Sequence, residues 1–277
     1  MYGITELHEI MTKEQILENF DPSQPGLADA TIFGLPFSAE QSEIIVIPVP
    51  WEVTVSYGSG ASKGPDAVLD ASFQVDLNHQ EFPELWKLGI YIDKPAKELK
   101  KKSKKFKKQA APIIKALESG MILDHHPSLM KDLEEINYAC SDMVEAVREQ
   151  TLNWMNKGKK VVLLGGDHST PLGYYQALAT KYDNFGILHL DAHMDLRIAY
   201  EGFTYSHASI MYNALHIPQI SKIVQVGIRD FCEQEVEVAL SDRVLVHTDS
   251  DLKQEAFEGK TWQQQCDNII ASLPEKI

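Results

Sequence analysis

Two short segments of the chain carry residues whose types and spacing could bind metal ions. They are GGDHS at 165–169 and DAHMD at 191–195, and each follows a short apolar stretch typical of a buried parallel strand. Side chains alternate in extended backbone, so the two aspartates and the histidine of the second segment should share one face. Since the carboxyl ends of parallel strands meet at one edge of a sheet, the histidine of the first segment can join them. The candidate metal ligands are therefore His168, Asp191, His193 and Asp195.

Carboxylate oxygens combined with imidazole nitrogens suit Mn²⁺, Fe²⁺, Ni²⁺ or Zn²⁺. No cysteine lies near these segments in the sequence, which argues against a structural zinc site. Because a carboxylate can bridge two ions, a two-metal site that activates one shared water fits this set of ligands. By alternation His189 falls on the same face as Asp191, but it lies two residues earlier, inside the strand. We therefore expect it to be a core or supporting histidine rather than a ligand.

The composition excludes some functions. With 26 basic and 40 acidic residues the formal net charge is −14, which disfavours non-specific binding to nucleic acid or to anionic membranes. Residues 97–108 hold eight lysines, and we expect a solvated helix face, since Phe106 is the only aromatic residue among them.

The first residues lack a signal-peptide pattern, no apolar run is long enough to span a bilayer, and the three cysteines are far apart. We therefore expect a cytoplasmic protein with reduced thiols.

The elements that must position the ligands alternate between strand and helix along the chain. This pattern predicts a parallel sheet covered by helices on both faces. Residues 1–42 are polar and rich in proline and glycine, and we predict an N-terminal arm with one short helix at 12–19. Residues 43–277 should form the α/β domain, with no linker that would divide it. The glycine-rich loop at 56–65 lacks the spacing of phosphate-binding loops, so we expect it to be structural.

GGDHS followed by DAHMD closely resembles the ureohydrolases: arginases, agmatinases, formimidoylglutamases and guanidinobutyrases. The segments GASKGP at 60–65, SHA at 206–208 and GIR at 227–229 also look like landmarks of this family. The resemblance runs from residue 43 to the end of the chain. It implies a three-layer α/β/α sandwich with a central, largely parallel sheet. It also implies a centre of two Mn²⁺ ions per subunit, with Ni²⁺ as an alternative.

Carried over by motif, the resemblance implies that His168 and Asp195 bind one ion, that His193 binds the other and that Asp191 bridges the two. A metal-activated hydroxide would then attack the guanidinium carbon, and the intermediate would collapse to urea and an amine. His207 matches a family histidine that passes a proton to the leaving amine, and it is the one candidate catalytic residue. No site for an organic cofactor is expected.

The family carries a third metal motif, Ser-x-Asp-x-Asp-x-x-Asp-Pro, that this chain lacks. The motif would follow the helix that ends near Leu273, so we expect a domain without its last strand or strands and with four of six metal ligands. Asp249 and Asp251 follow an apolar strand, but Asp-Pro is absent after them, and we expect a turn cap there rather than ligands. We therefore expect weak metal binding and little turnover from these 277 residues alone.

The loop after DAHMD, residues 196–205, differs from the loop with which arginases hold the amino-acid end of arginine. We therefore favour a guanidino substrate without an α-carboxylate: first agmatine, which would yield putrescine, then guanidinobutyrate or guanidine. Formimidoylglutamate and arginine stay open as substrates, because small changes in a pocket redirect specificity.

Two other functional classes stay open. One is a binuclear phosphoesterase, although in that family the Asp-x-His segment precedes a Gly-Asn-His segment, the reverse of the order here. The other is a non-catalytic paralogue that acts as a structural or regulatory subunit. The relatives form trimers or hexamers, so we expect a homo-oligomer, with no nucleic-acid or membrane partner.

Overall fold

The computed structural model of the chain describes residues 11–26 and 30–277. The expectation of no signal peptide rests on the first residues, which lie outside this description. Contacts divide the described residues into two compact units. The first comprises the described residues up to Glu52 together with Tyr57–Lys105 and Glu149–Asp167, and the second comprises Val53–Ser56, Phe106–Arg148 and His168–Ile277.

Strands and helices alternate along most of the described chain. The strands are β1 (Ile44–Val49), β2 (Ile90–Ile92), β3 (Lys160–Gly165), β4 (Phe185–Leu190), β5 (Ile220–Ile228) and β6 (Val244–Thr248). The helices are α1 (Lys13–Asn19), α2 (Gly64–Ser72), α3 (Leu99–Glu118), α4 (Pro127–Asn156), α5 (Leu172–Ala179), α6 (Ile210–Leu215), α7 (Glu233–Ala239), α8 (Asp249–Phe257) and α9 (Trp262–Ala271). None of these helices combines the length and the apolar character that crossing a lipid bilayer requires.

The first unit holds a three-stranded parallel sheet in the order β2-β1-β3. β1 is the central strand, and its side chains from Ile45 to Val49 are almost entirely buried. The short helix predicted in the N-terminal arm is confirmed. Thr12 begins it with a capping box, in which its side chain accepts from the Gln15 N–H and the Gln15 side chain accepts from the Thr12 N–H.

The second unit holds another three-stranded parallel sheet, in the order β4-β5-β6. β5 is central, with Ile223 and Val224 fully buried, and its residue Gln225 lies opposite His189 of β4 in the register of the two strands. The parallel α/β class predicted from the alternation of elements is confirmed.

Two strands that carry the metal motifs are incompletely buried. Within its own unit, each of β3 and β4 pairs with one other strand among the described residues. Val162 of β3 is 48% exposed, and Leu190 of β4 is 71% exposed. At these two positions the strands are therefore less buried than the apolar sequence predicted, because complete burial of a strand needs a neighbour on each side and a layer on each face.

The chain returns to β4 after its last helix. The Gly186 N–H donates to the Lys276 carbonyl at 2.8 Å, and a Cβ at position 186 would lie 2.6 Å from the ring of Pro274. The first half of β4 therefore contacts the residues that follow α9.

Helix α8 was missed in the sequence, where Asp249 and Asp251 were considered only as a turn or as ligands. The structure shows that they begin a helix. The Thr248 side chain accepts from the Asp251 N–H at 3.1 Å, and Lys253 pairs with Asp249 one turn away at 2.6 Å. Two carboxylates in the first turn are favourable because they face the positive end of the helix dipole. The expected turn cap is therefore replaced by a helix that Thr248 caps, with both aspartates in its first turn.

Strand β2 has only three residues. Residues 87 and 88 before it belong to a short 3₁₀ helix, and Gly89 turns the chain with a φ of 74°. A Cβ at Gly89 would lie 2.9 Å from the Cα of Ser42, so only glycine fits this close approach.

The glycine-rich loop and the lysine-rich segment both make contacts within the fold. In the glycine-rich loop, the Gly60 and Ser62 N–H groups donate to the buried Glu52 carboxylate at 2.8 and 3.1 Å. The lysine-rich segment forms the exposed first half of α3, where Lys100 pairs with Asp66. Both predictions, a structural loop and a solvated helix face, are confirmed. No disulfide joins the cysteines, all three of which lie in the described part of the chain.

The second glycine of GGDHS permits a very close approach of backbone. Gly166 has a φ of 24°, and a Cβ there would lie 2.4 Å from the Trp51 carbonyl. We predict that Gly166→Ala lowers the free energy of unfolding by about 2–4 kcal/mol, combining overpacking with the left-handed backbone cost. Gly158→Ala is the matched control, because Gly158 also has a positive φ but a Cβ there would meet nothing within 4 Å. Urea denaturation should show a loss of only about 1 kcal/mol for this control, and equal losses in the two variants would contradict the prediction.

Candidate metal centre

Four side chains of the second unit converge just beyond the carboxyl end of β4. One ligand atom from each lies within 4.8 Å of those of the others, and three of the four were predicted as ligands. The residues are His168, His189, Asp191 and Asp195. The group contains two carboxylates and two imidazoles and no thiol, which is a donor set for a divalent cation such as Mn²⁺ rather than for structural zinc.

The two carboxylates approach the same imidazole nitrogen. Nδ1 of His168 lies 2.7 Å from Oδ2 of Asp195 and 3.3 Å from Oδ2 of Asp191. Asp195 is almost completely buried, whereas His168 and Asp191 keep side-chain exposures of 33% and 24%. One flank of the cluster is therefore open to solvent, and the other is closed by protein.

Asp191 is kept ionised by its surroundings. Partial burial would raise its pKa, but the hydrogen bond with His189 and the one from the His193 backbone N–H outweigh it. The nearby imidazoles act in the same direction, so the pKa lies well below its ordinary value. Asp191 is consequently negatively charged at neutral pH, as a metal ligand must be.

His193 is placed beside the cluster but is not one of its four members. Its Nδ1 lies 3.2 Å from Oδ1 of Asp191, its Nε2 lies 3.7 Å from a carboxylate oxygen of Asp230, and its side chain is 58% exposed. The structure therefore brings His168, Asp191 and Asp195 together as predicted and leaves His193 at the rim. Its metal-binding function stays a prediction.

The assumption of extended backbone through DAHMD was wrong. β4 ends at Leu190, the chain bends at Ala192, and Asp195 adopts a left-handed conformation with a φ of 54°. Alternation therefore fails as a guide to which side chains share a face. The bend is fixed by the two residues that follow β5, since the Arg229 and Asp230 N–H groups donate to the Ala192 carbonyl at 2.8 and 3.0 Å.

The unusual conformation of Asp195 is held by hydrogen bonds to its backbone. Its carbonyl accepts from the N–H groups of Met211 and Tyr212, at 3.0 and 3.2 Å, which belong to the first turn of α6. Aspartate tolerates the left-handed region better than most residues do. Two backbone N–H groups in the first turn of α6, which have no partner within the helix, thereby gain a hydrogen-bond acceptor, and the backbone of Asp195 is held in place.

Two supporting residues were missed in the sequence. Gln225 is a fully buried amide that contacts both His189 and the Met194 carbonyl. Glu235 is a buried carboxylate of α7 that accepts from the Leu196 N–H at 3.1 Å, directly after Asp195. The sequence could have indicated Gln225, because it is a polar residue inside the apolar run of β5. Polar side chains are buried in such strands only when they have hydrogen-bond partners.

His207, the predicted proton carrier, lies in a 3₁₀ helix over His207–Ser209. Its Nδ1 is buried without a hydrogen-bond partner among the described residues, and its ring meets the edge of Tyr200 at a centroid distance of 6.0 Å. It does not belong to the four-residue cluster. Its catalytic function stays a prediction.

Comparison with known proteins decides the family. A model of the Arginase family matches residues 42–272. The chain belongs to this family. The N(1)-aminopropylagmatine ureohydrolase of Thermus thermophilus is 30% identical over 203 residues, which are 72% of this chain and 55% of that protein. The agmatinase of Bacillus anthracis is 26% identical, over 73% of this chain and 57% of that protein.

A solved structure supports the arginase-family fold. The proclavaminate amidino hydrolase of Streptomyces clavuligerus matches with a TM-score of 0.64 at 18% identity, over 92% of this chain and 73% of that one. The resemblance to agmatinase-like ureohydrolases drawn from GGDHS and DAHMD is thus confirmed. The chain spans about half the length of the curated relatives that it matches.

The Glu235 carboxylate ties the backbone after Asp195 to α7 of this arginase-family chain. It accepts from the Cys232 N–H at 2.9 Å as well as from Leu196. Glu235→Gln should cost about 1–3 kcal/mol of unfolding free energy, because an amide N–H₂ would face a backbone donor in a buried position. Glu233→Gln, at an exposed position of the same helix, should stay within about 0.5 kcal/mol of wild type. Denaturation curves of the two variants that superimpose would refute this function of Glu235.

Proposed function

We propose that this chain forms part of a metal-dependent ureohydrolase that converts a guanidino compound into urea and an amine, with agmatine as the favoured substrate and putrescine as the product. The observation that carries the proposal is the cluster of His168, Asp191 and Asp195 in a chain of the Arginase family. Both the donor chemistry and the family point to hydrolysis at a metal centre.

The side chains that would hold the metal are the predicted ones. His168 and Asp195 would bind one ion, His193 would bind a second, and Asp191 would contact both through its two oxygens. We propose Mn²⁺, with Ni²⁺ as the alternative. A mixture of carboxylates and imidazoles suits these ions better than it suits soft ions, which prefer sulfur ligands, or ions that prefer oxygen ligands alone. When bound, the ions would supply a nucleophilic water at neutral pH and polarise the substrate carbon.

The chain's own residues would handle protons in the reaction. In the overall reaction one water adds to the guanidinium carbon, the bond from that carbon to the substituted nitrogen breaks, and the amine leaves with an added proton. His207 is the proposed proton carrier, because its buried Nδ1 has no hydrogen-bond partner among the residues that the structure describes.

The loop after DAHMD favours a substrate without an α-carboxylate. Arg197 would be the natural partner of a substrate carboxylate, but its Nε lies 3.7 Å from the buried Glu235, and its guanidinium lies 5.1 Å from the ring centre of Tyr200. Its charge is therefore already partnered by Glu235 of α7 and by the ring of Tyr200. Agmatine, aminopropylagmatine or guanidine agree with this arrangement better than arginine does.

The substrate is tested by urea release from the complete protein that contains this chain, loaded with Mn²⁺. We expect urea from agmatine or a close cationic analogue, and much less from arginine and formimidoylglutamate. A phosphodiester should not be hydrolysed. Urea from arginine alone would overturn the substrate assignment, and phosphodiester hydrolysis without urea would overturn the proposed reaction.

His193 separates a catalytic metal centre from a merely structural cluster. His193→Ala should lower the rate of urea release by about 100-fold or more, because one of the two ions would lose a ligand, while the exposed side chain contributes little to folding. His216→Ala is the control, since His216 lies at the exposed end of α6 and its ring contacts Tyr212, outside the metal cluster. Circular dichroism should be unchanged in both variants. Urea release at the wild-type rate in His193→Ala would contradict the assignment.

A further inference from the structure

Gln225 is a polar residue in the centre of an otherwise apolar strand. Its side chain is fully buried in the second unit, and it stands opposite His189, which is 4% exposed. Burying an amide costs free energy unless its hydrogen bonds are made inside the protein. The partners of Gln225 therefore indicate why a polar side chain is present here.

The orientation of the Gln225 amide is set by a backbone carbonyl. Its Nε2 lies 2.6 Å from the carbonyl oxygen of Met194, which can only accept a hydrogen bond. Turning the amide over would place Oε1 against that carbonyl, so that two acceptors would face each other. One amide hydrogen is thus directed at Met194, and the second is directed at Nδ1 of His189, 2.9 Å from the amide nitrogen.

The amide in turn selects one form of the His189 ring. Since Nδ1 accepts a hydrogen from Gln225, it must carry a lone pair, and the ring proton then lies on Nε2. Nε2 is 3.3 Å from Oδ2 of Asp191. The hydrogen bonds run in one direction, from Gln225 to His189 and from His189 to Asp191.

We propose that Gln225 is a positioning residue of the metal centre: it holds His189 as the Nε2–H tautomer, so that His189 donates to Asp191 and orients this carboxylate instead of binding metal itself. The proposal rests on the proposed function, because it gives Asp191 an orientation suited to an ion. A histidine that binds metal through Nε2 must have no proton on Nε2. The hydrogen bond from Gln225 to Nδ1 opposes this, because it keeps the ring proton of His189 on Nε2.

Two features of the amide support this assignment. Oε1 of Gln225 has no hydrogen-bond partner in the described part of the chain, so the side chain is held in place by its two donated hydrogen bonds. The Met194 carbonyl lies between His193 and Asp195, so the same amide fixes the backbone that carries the neighbouring candidate ligands. Gln225 thus acts on Asp191 through His189 and on Asp195 through the backbone.

The tautomer can be measured without metal or substrate. In metal-free protein labelled with ¹⁵N-histidine, nitrogen chemical shifts distinguish a protonated from a bare ring nitrogen, and the signals that vanish in His189→Asn identify His189. We expect a bare Nδ1 and a protonated Nε2 in the wild type. In Gln225→Glu the new carboxylate should accept from Nδ1–H, and the proton should appear on Nδ1.

The effect on the metal centre is measured by titration with Mn²⁺ alone. Gln225→Met, which keeps the size of the side chain but removes both donors, should weaken Mn²⁺ binding by about 10–100-fold, as loss of groups that orient ligands does. Gln265→Met is the matched control. Gln265 of α9 is also a buried amide with an unpartnered Oε1, but it is no member of the cluster, and Mn²⁺ binding should be unchanged in its variant.

The outcomes separate this inference from the proposed function. A protonated Nδ1 and a bare Nε2 in the wild type would overturn the inference, as would wild-type Mn²⁺ affinity in Gln225→Met. If Gln225→Met fails to fold, the nitrogen chemical shifts of His189 in the wild type and in Gln225→Glu still test the inference. Wild-type protein with the expected tautomer that takes up no Mn²⁺ would overturn the metal centre, while the selection of the tautomer by Gln225 would stand.

Discussion

The ionised carboxylate of Asp191 is the constraint on which the arrangement of the second unit depends. A half-buried negative charge is costly unless donors surround it. Here the donors come from three places: the ring of His189, the backbone N–H of His193 and the imidazole of His168. Because Asp195 brings a second carboxylate to the same imidazole, the cluster holds more negative charge than its own donors balance. A divalent cation is the natural complement of such a site.

The backbone around the cluster is shaped to make these contacts possible. Asp195 is left-handed, a conformation that costs a non-glycine residue about 1–3 kcal/mol. The cost is offset by N–H groups at the start of α6 and by the Glu235 carboxylate at the next residue. Gly227 contributes from β5, since a Cβ there would lie 3.3 Å from the Asp191 carbonyl and its φ is 88°. Strained backbone of this kind persists only where the surrounding structure determines it, which is typical of functional sites.

The sequence predicted the class of fold, because an alternation of apolar runs and amphipathic segments reflects burial alone. It predicted three of the four clustered side chains, because GGDHS and DAHMD concentrate carboxylates and imidazoles in two short segments. It could not predict the bend after Leu190, since that bend depends on N–H groups of 229 and 230, which are distant in the chain. It missed α8, whose Thr248 cap resembles any turn when tertiary contacts are unknown. It also missed Gln225, which becomes meaningful only once the register places it opposite His189.

The difference between a ligand and a supporting histidine is likewise invisible in spacing. His189 and His193 flank Asp191 symmetrically in the sequence, two residues before it and two after it, and both lie within 3.3 Å of its carboxylate. What separates them is the other ring nitrogen. In His189 that nitrogen accepts from a buried amide, whereas in His193 it faces the exposed carboxylate of Asp230 at 3.7 Å. An amide that donates to Nδ1 of His189 leaves the ring proton on Nε2, which can then donate to Asp191. A carboxylate beside Nε2 of His193 attracts the ring proton to Nε2, so that Nδ1 keeps a lone pair for an ion. This difference supports the proposal that His193 binds metal and that His189 supports Asp191.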